Sequence, residues 1–323
     1  MSKLAVVIAS HDEAGKLERL VQWIPYQKEW AGPLIVVYSG EFVSRSLVEI
    51  CKENNVQLVL EEFQLCGLAK RNRGAEIARE LNAEYVTFLT DYQSLAPGSI
   101  KGFEKEEHSE ALIFGNVQFD LNSKMTIPKI SQFEFPLTSS SSYKGIWAIF
   151  SSVSESGVLV KLDTFQNLGS WQYPVVKKRV FLGGDGIYLV ARVFVNGSSF
   201  GYSRSYQVLG GHKNLNITRE IQEARGSLYP YAFTLASKMR GLPRWVGLRF
   251  ILGRIARVLQ MVLRGDLHGA IDTRIEIGAR FRAYLGIRPS LKAKPLQAIL
   301  DYNCKKSDFS CNSKGTTACR NLG

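Results

Sequence analysis

The sequence has few cysteines and no long apolar run. Of its 323 residues five are cysteines, an odd number with neither the density of a disulfide framework nor the CxxC spacing of a zinc site. No segment approaches the roughly 20 consecutive apolar residues that cross a bilayer. The N-terminal apolar run meets His11, Asp12 and Glu13 too early for a signal peptide. These absences lead us to expect a protein of the reducing cytoplasm.

Acidic residues are scarce in one part of the chain. The net charge is +12, and from Lys238 to Lys294 thirteen Lys or Arg stand against three acids, which gives this span +10. Such a surface suits an anionic partner: a membrane leaflet, a nucleic acid or a phosphorylated substrate. Because the span lacks clustered aromatics and any reader motif, nucleic acid is the least favoured of the three.

Apolar runs alternate with helical patterns through the first half of the chain, which at 45% hydrophobic residues can bury a substantial core. The patterns predict strands at 4–9, 33–38, 56–61 and 85–89, and helices at 14–23, 44–54 and 69–81. Because the strand segments are rich in Val, Ile and Leu without polar alternation, both of their faces should be covered. The sequence therefore predicts an open α/β nucleotide-binding half, a mostly parallel sheet flanked by helices.

The middle of the chain has a different pattern. Residues 111–119 read as a strand, and the serines at 139–142 predict a flexible loop over 136–156, with an acceptor-side loop as the alternative. The segment 183–197 predicts a loop followed by a helix that begins near Asp185 and stops at Gly197. There is no internal repeat.

A basic turn and an acidic strand end suggest a binding site. Gly67-Leu-Ala-Lys-Arg-Asn-Arg-Gly opens a helix, and the strand that follows it stops at Asp91. A helix start attracts phosphate through its free N–H groups, and ligands of open α/β sheets bind at the carboxyl ends of strands. Together the two segments predict a site for a nucleotide diphosphate.

Five segments in order resemble family 2 glycosyltransferases. They are Val6-Val-Ile-Ala-Ser-His-Asp-Glu-Ala, the helix opened by Gly67, the strand ending in Asp91, Lys161 to Trp171 with its Phe and Gly-x-Trp, and the Gly183-Gly-Asp loop. Each is weak alone, and the resemblance covers about residues 3–212. It implies the GT-A fold and transfer of a sugar from a nucleotide-diphosphate sugar to a glycan or lipid-linked acceptor, as in polysaccharide biosynthesis.

The resemblance also assigns binding residues. The nucleoside pocket would be lined by Ala9, Ser10, His11 and Glu13, with His11 against the base; alternatively His11 only bonds backbone at a strand end. Tyr38-Ser-Gly falls where the family commonly carries a base-contacting Asp. Arg71, with Lys70 beside it, matches the position that approaches the diphosphate. For Lys70 an ordinary solvated first helical turn is an equal alternative.

The same resemblance implies a site for a divalent metal ion and a catalytic base. The family's acidic motif is reduced here to Asp91, with Tyr92 where the last acid is usual. Asp91 would bind the ribose of the nucleotide sugar or a divalent ion, Mn²⁺ or Mg²⁺. His212 would be a late metal ligand, a phosphate contact or a merely structural residue. Lys213 is an alternative source of positive charge. Asp185 matches the acid of the family's Gly-Gly-acid loop and would be the base of a single inverting displacement; alternatively it only caps the helix.

The C-terminal part predicts a separate basic region. Six apolar residues recur at helical spacing with arginines opposite them: Trp245, Leu248, Leu252, Ile255, Leu259 and Leu263. We expect this helix to dock on the catalytic domain or to lie on an anionic membrane, on its inner face. The predicted domains are 1–232, the basic helical region 233–294 and a tail at 295–323 that we expect to be disordered. The alternative function is an inactive GT-A protein that binds nucleotide sugars.

Overall fold

An eight-stranded mixed sheet forms the centre of the fold. The computed structural model describes residues 4–10, 16–24, 27, 30–39, 43–61, 67–90, 93–118, 124–153, 157–172, 175–176, 179–180, 185–210, 248–267, 270, 273–274, 277–278, 281 and 289–290. Numbered in chain order, the sheet's strands are β1 (Leu4–Ser10), β2 (Leu34–Tyr38), β3 (Gln57–Leu60), β4 (Tyr85–Thr90), β5 (Ser94–Leu95), β6 (Leu112–Gln118), β7 (Gly157–Lys161) and β10 (Phe200–Leu209). They lie in the order β3-β2-β1-β4-β7-β6-β10-β5.

Helices cover the sheet and a short second sheet accompanies it. The helices are α1 (Lys16–Trp23), α2 (Arg45–Glu53), α3 (Gly67–Glu80), α4 (Ser99–Lys105), α5 (Tyr143–Ser152), α6 (Leu162–Asn167), α7 (Asp185–Val195) and α8 (Leu248–Leu263). The second sheet has the order β11-β8-β9 and consists of β8 (Val175–Val176), β9 (Arg179–Val180) and β11 (Pro289–Ser290). Pairing of β11 with β8 joins the C-terminal region to the rest of the chain.

The parallel half of the sheet agrees with the sequence prediction. Strands β3, β2, β1 and β4 are mutually parallel, and every residue of β1 and β2 is buried. The two faces of β1 enter different core clusters, one with Val7 and residues of α3, the other with Val6 and residues of α1 and α2. Both faces are therefore covered by helices, as the apolar runs indicated.

Gly74 lets α3 lie close against the sheet. A Cβ atom at this position would come within 2.3 Å of Val7 Cγ1 on β1. Any larger residue would push the helix away from the strand, because packed interiors leave no free volume at such a contact. The glycine thus fixes the depth at which α3 packs, and with it the place of the helix's first turn.

The second half of the sheet departs from the sequence prediction. β7 lies antiparallel between β4 and β6, and β10 pairs in parallel with β6; the sequence patterns identified neither β7 nor β10. The predicted loop over 136–156 was wrong at Tyr143–Ser152, which form α5. The serines act as a helix start, since Ser142 Oγ accepts a hydrogen bond from Gly145 N, and the apolar residues behind them are buried.

The predicted helix that ends at Gly197 is confirmed. α7 runs from Asp185 to Val195, and Gly197 follows with a left-handed φ of 74°. Gly197 N bonds Phe194 O and Ser198 N bonds Val193 O, which satisfies carbonyls of the last turn. The buried side chains of α7, among them Tyr188, Leu189 and Phe194, belong to the same core cluster as Val7.

Helix α8 does not bury the apolar stripe predicted for it. Leu252, Ile255, Leu259 and Leu263 are exposed, whereas Ile251 is buried. The expectation that this stripe docks on the catalytic domain is therefore wrong for these four residues. None of the described helices combines the length and the apolar content that a membrane span requires.

Candidate active site

Three strand ends meet at one edge of the sheet. In the register of the parallel strands Ser10 lies beside Tyr38, and Ala9 lies between Val37 and Thr90. These positions are the carboxyl ends of β1, β2 and β4, where open α/β sheets bind ligands. The structure thus brings the predicted residues Ala9, Ser10 and Tyr38 together. Their roles in binding remain predictions.

Lys70 lies buried beneath this edge. Its side chain is 0% exposed, and its Nζ donates to Ser10 O at 2.5 Å and to Ser39 Oγ at 2.9 Å. An ammonium group is buried only when its charge and donors are compensated. The interpretation of Lys70 as part of a solvated helical turn is therefore wrong. The lysine instead joins the ends of β1 and β2 to the first turn of α3.

Asn72 anchors a second segment to α3. Its Nδ2 donates to Trp171 O at 3.1 Å, and its Oδ1 accepts from Trp171 N at 2.8 Å. The side-chain amide of Asn72 thus satisfies both backbone groups of Trp171, as a neighbouring strand would. Trp171 follows α6 through a tight turn in which Gly169 and Ser170 both have positive φ. The turn ends α6 and directs the tryptophan toward α3.

Trp171 packs against the predicted diphosphate residue. The guanidinium carbon of Arg71 lies 5.4 Å from the centre of the Trp171 ring, within the range of a cation–π interaction. The same ring makes an edge contact with Phe88 of β4. Its Nε1 is buried and has no hydrogen-bond partner in the described part of the chain. Among the described residues this donor is an exception, since buried polar groups are normally satisfied.

Arg192 ties α7 to the same segment. It is buried, and its two terminal nitrogens donate to Leu168 O at 2.6 Å and to Ser170 O at 2.5 Å. Burial lowers the pKa of Arg192 to about 10, and the neighbouring Tyr188 raises it in part. The helix that begins with Asp185 is thereby linked, through residues 168–171, to α3. The side chain of Asp185 lies outside the described part of the structure.

The described side chains at the strand ends do not fit a hard divalent cation. Gln93 folds back on the end of β4. Its side-chain Oε1 accepts a hydrogen bond from the backbone N of Thr90 at 3.1 Å, and its backbone N donates one to Thr90 O at 3.0 Å. Ser10, Ser39 and Thr90 add neutral groups and Lys70 adds a positive charge, whereas Mn²⁺ and Mg²⁺ prefer carboxylates. No cluster of three His, Cys, Asp or Glu able to hold a metal occurs among the described residues.

Several predicted site residues fall outside the described residues. These are His11, Glu13, Asp91 and His212, with Lys213 beside the last. Three other residues that shape the site were missed: Asn72 and Trp171 were parts of the motifs but received no role, and Arg192 was not considered. The signal for Arg192 is its isolation within the apolar run Ile187 to Val195, because a lone arginine in a buried helix needs acceptors.

Comparison with solved structures identifies the fold. Residues 1–349 of S. aureus TarS, in complex with UDP-GlcNAc, superpose with a TM-score of 0.50 at 11% identity, over 88% of this chain and 92% of that one. The chain has the GT-A fold. Its eight-stranded sheet with flanking helices is the part on which this assignment depends.

Other GT-A structures are similar at lower scores. The longer S. aureus TarS structure gives a TM-score of 0.47 at 12% identity, over 69% of this chain, which spans only 39% of that protein. The mannosyltransferase PcManGT from Pyrobaculum calidifontis, in complex with GDP-Man and Mn²⁺, gives 0.45 at 11% identity over 95% of this chain and 81% of that one. In sequence, the chain matches no family model and no curated protein.

Proposed function

We propose that the protein is a glycosyltransferase that uses a nucleotide-diphosphate sugar. The observation that carries this proposal is the position of the basic first turn of α3. Lys70 is fixed to the ends of β1 and β2, and Arg71 beside it rests on Trp171. Free N–H groups of a helix start and a guanidinium together favour a diphosphate. The TarS complex with UDP-GlcNAc supports a donor of this class.

The nucleoside would lie over the ends of β1 and β2. Ala9, Ser10 and Tyr38 border this place, and His11 and Glu13 follow Ser10 in the chain. Ser39, which follows β2, offers a hydroxyl that Lys70 already holds, where the resemblance leads one to expect a carboxylate. The groups that select the base in this protein would therefore differ from those usual in the family.

In the proposed reaction Asp185 acts as the base. It accepts the proton of the acceptor hydroxyl while that oxygen bonds to the anomeric carbon. The bond from this carbon to the diphosphate breaks, and its electron pair leaves with the diphosphate, so the configuration inverts. Arg71 stabilises the charge that develops on the leaving group. The link from α7 through residues 168–171 to α3 supports a fixed spacing between base and leaving group.

A divalent cation remains part of the prediction. Mn²⁺ or Mg²⁺ would be held by Asp91 and His212 and, when bound, would neutralise charge on the diphosphate. We place the reaction in the cytoplasm, with the protein on the inner face of a membrane, where a lipid-linked acceptor would be found. A free glycan is the other acceptor of this class. The predicted domain boundaries, at 232 and 294, also stand as proposals.

Thermal shift tests the donor and the metal together. The full chain is heated with UDP- and GDP-sugars, with and without Mn²⁺, because a ligand that binds only the folded state raises its melting temperature. We expect one nucleotide class to raise the midpoint by several degrees, and Arg71→Met to abolish this rise. If no nucleotide sugar shifts the midpoint of the wild type in either condition, the proposed donor site is wrong.

Donor hydrolysis separates an enzyme from the alternative, an inactive binding protein. The reduction of the acidic motif to Asp91 favours that alternative. If the protein is an enzyme, it should slowly release free nucleotide from the bound donor, and Asp185→Asn should reduce release by about 10²-fold or more while donor binding persists. Asp163→Asn, on the exposed surface of α6, is the control. Binding without release in the wild type would establish the inactive protein.

A further inference from the structure

The exposed side of α8 is an apolar stripe. Leu252, Leu259 and Leu263 are 61%, 59% and 86% exposed, and Ile255 and Val262 between them are also exposed. At 100° per residue these five positions lie within one third of the helix circumference. The stripe is therefore continuous along the helix, unlike the apolar residues exposed singly elsewhere on the surface, such as Leu60 and Leu81.

A different side of α8 is covered. Ile251 is 3% exposed, and Arg254, Val258 and Met261, which share its side, are half-buried. Met261 Sδ accepts a hydrogen bond from Thr273 Oγ1. The covered side of α8 is therefore distinct from the exposed leucine stripe.

The charged residues of α8 are all basic. α8 contains Arg249, Arg254 and Arg257 and no acidic residue, and Arg264 follows directly. Arg257 and Arg264 are exposed on the side of the helix opposite the stripe. Beyond the helix, Leu267 and Phe281 are exposed as well, in a span whose net charge is +10.

We propose that α8 lies flat in the interface of an anionic lipid leaflet, with the stripe Leu252–Leu263 in the acyl boundary and its arginines at the headgroups. Apolar residues on one side and basic residues on the opposite side are the features of helices that bind lipid interfaces. Anionic headgroups complement the charge, and each basic residue near such a surface adds attraction. The inference concerns lipid binding and holds whether or not the protein transfers a sugar.

Two other occupants fit the surface less well. A second copy of this chain would bring two strongly positive regions together, which like charges oppose. A nucleic acid would meet the arginines but would leave the leucines without a partner, because single strands stack on aromatic side chains. A lipid leaflet satisfies both the apolar and the charged groups at once.

Vesicle co-sedimentation tests the proposal with the full chain. We expect binding to vesicles of phosphatidylglycerol and phosphatidylcholine to exceed binding to pure phosphatidylcholine by at least about tenfold. The triple variant Leu252→Gln, Leu259→Gln, Leu263→Gln should lose about tenfold or more of this binding, because its apolar contact is removed. Since all three side chains are exposed, circular dichroism and melting temperature should stay at wild-type values.

A matched control changes apolar residues of similar exposure elsewhere. The triple variant Leu60→Gln, Leu81→Gln, Met125→Gln should bind vesicles like the wild type. Arg257→Gln with Arg264→Gln should weaken binding and its dependence on anionic lipid. The proposal is overturned by wild-type protein that does not bind anionic vesicles, by leucine variants that bind them unchanged, or by a wild-type dimer in light scattering that the leucine variants convert to monomer.

Discussion

At the scale of single residues, the buried ammonium of Lys70 controls the edge of the site. Its Nζ donates to Ser10 O and to Ser39 Oγ and so joins the ends of β1 and β2. Lys70→Met would keep the length of the side chain but leave both oxygens buried without this donor. We expect a loss of about 1–3 kcal/mol in the free energy of unfolding and weaker donor binding.

Urea unfolding followed by fluorescence measures this loss. Lys52→Met is the matched control, since Lys52 is exposed on α2, and its effect should stay within about 0.5 kcal/mol. Equal stability of the two variants would contradict the structural role given to Lys70.

His108 gives the fold a pH dependence of its own. Burial lowers its pKa, but hydrogen bonds to Glu106 and Glu110 outweigh burial and raise the pKa to about 9. Its Nε2 lies 3.0 Å from Glu106 Oε2, and its ring stacks on Phe103. Burial raises the pKa of Glu106, but hydrogen bonds from His108, Ser203 and Ser205 outweigh burial and lower this pKa to about 2.

The direction of the pH effect follows from these shifts. Because the pKa of His108 is higher in the folded state, its contribution is complete below about pH 6.5 and is lost as the pH rises toward 9. We expect the free energy of unfolding to fall over this range by on the order of 2 kcal/mol more in the wild type than in His108→Gln. Urea unfolding at a series of pH values measures the difference. Parallel curves for the two proteins would disprove the contribution.

At the scale of elements, Asn72 connects α3 to the segment that leads to α7. Asn72→Ala removes both bonds to Trp171, so we expect a loss of about 1–3 kcal/mol in stability, with a larger fall in donor hydrolysis than in donor binding. The reason is that the segment sets the distance between Arg71 and α7, which matters for the reaction more than for binding.

The control for Asn72 is Asn167→Ala, since Asn167 is exposed at the end of α6. Stability comes from chemical unfolding, and hydrolysis and binding are measured at a temperature where both variants remain folded. If Asn72→Ala lowers binding and hydrolysis equally, the residue serves folding alone and has no influence on the spacing of the site.

At the scale of the whole molecule, the sheet joins both halves of the chain. β1 and β4 each pair on both edges, β1 with β2 and β4, and β4 with β1 and β7, whereas β3 is an edge strand with partly exposed residues. Amide hydrogen exchange should therefore be slowest in β1 and β4 and at least about tenfold faster in β3. Equal protection of β3 and β1 by mass spectrometry would contradict this order of stability.

The sequence alone determined the local structure of the first half. Runs of apolar β-branched residues predict buried strands, and this prediction does not require knowing which strands pair with them. Helix ends were equally local: Ser44 caps α2 through Leu47 N, and Gly197 ends α7 because it accepts a positive φ. The resemblance of five motifs to family 2 glycosyltransferases also implied the GT-A fold, which the structure confirms.

Only the tertiary structure decided which residues meet. Lys70 is buried because residues 60 and 31 positions away supply its acceptors, and no local pattern shows such a contact. β7 pairs with β4 across more than 70 positions, and Arg192 finds two carbonyls in a turn that folds back from α6. The exposure of α8 depends in the same way on what packs against it. Local propensity determines which segments become helices and strands, whereas long-range pairing determines which of them lie side by side. The chemistry of the site depends on the side chains that this pairing brings together.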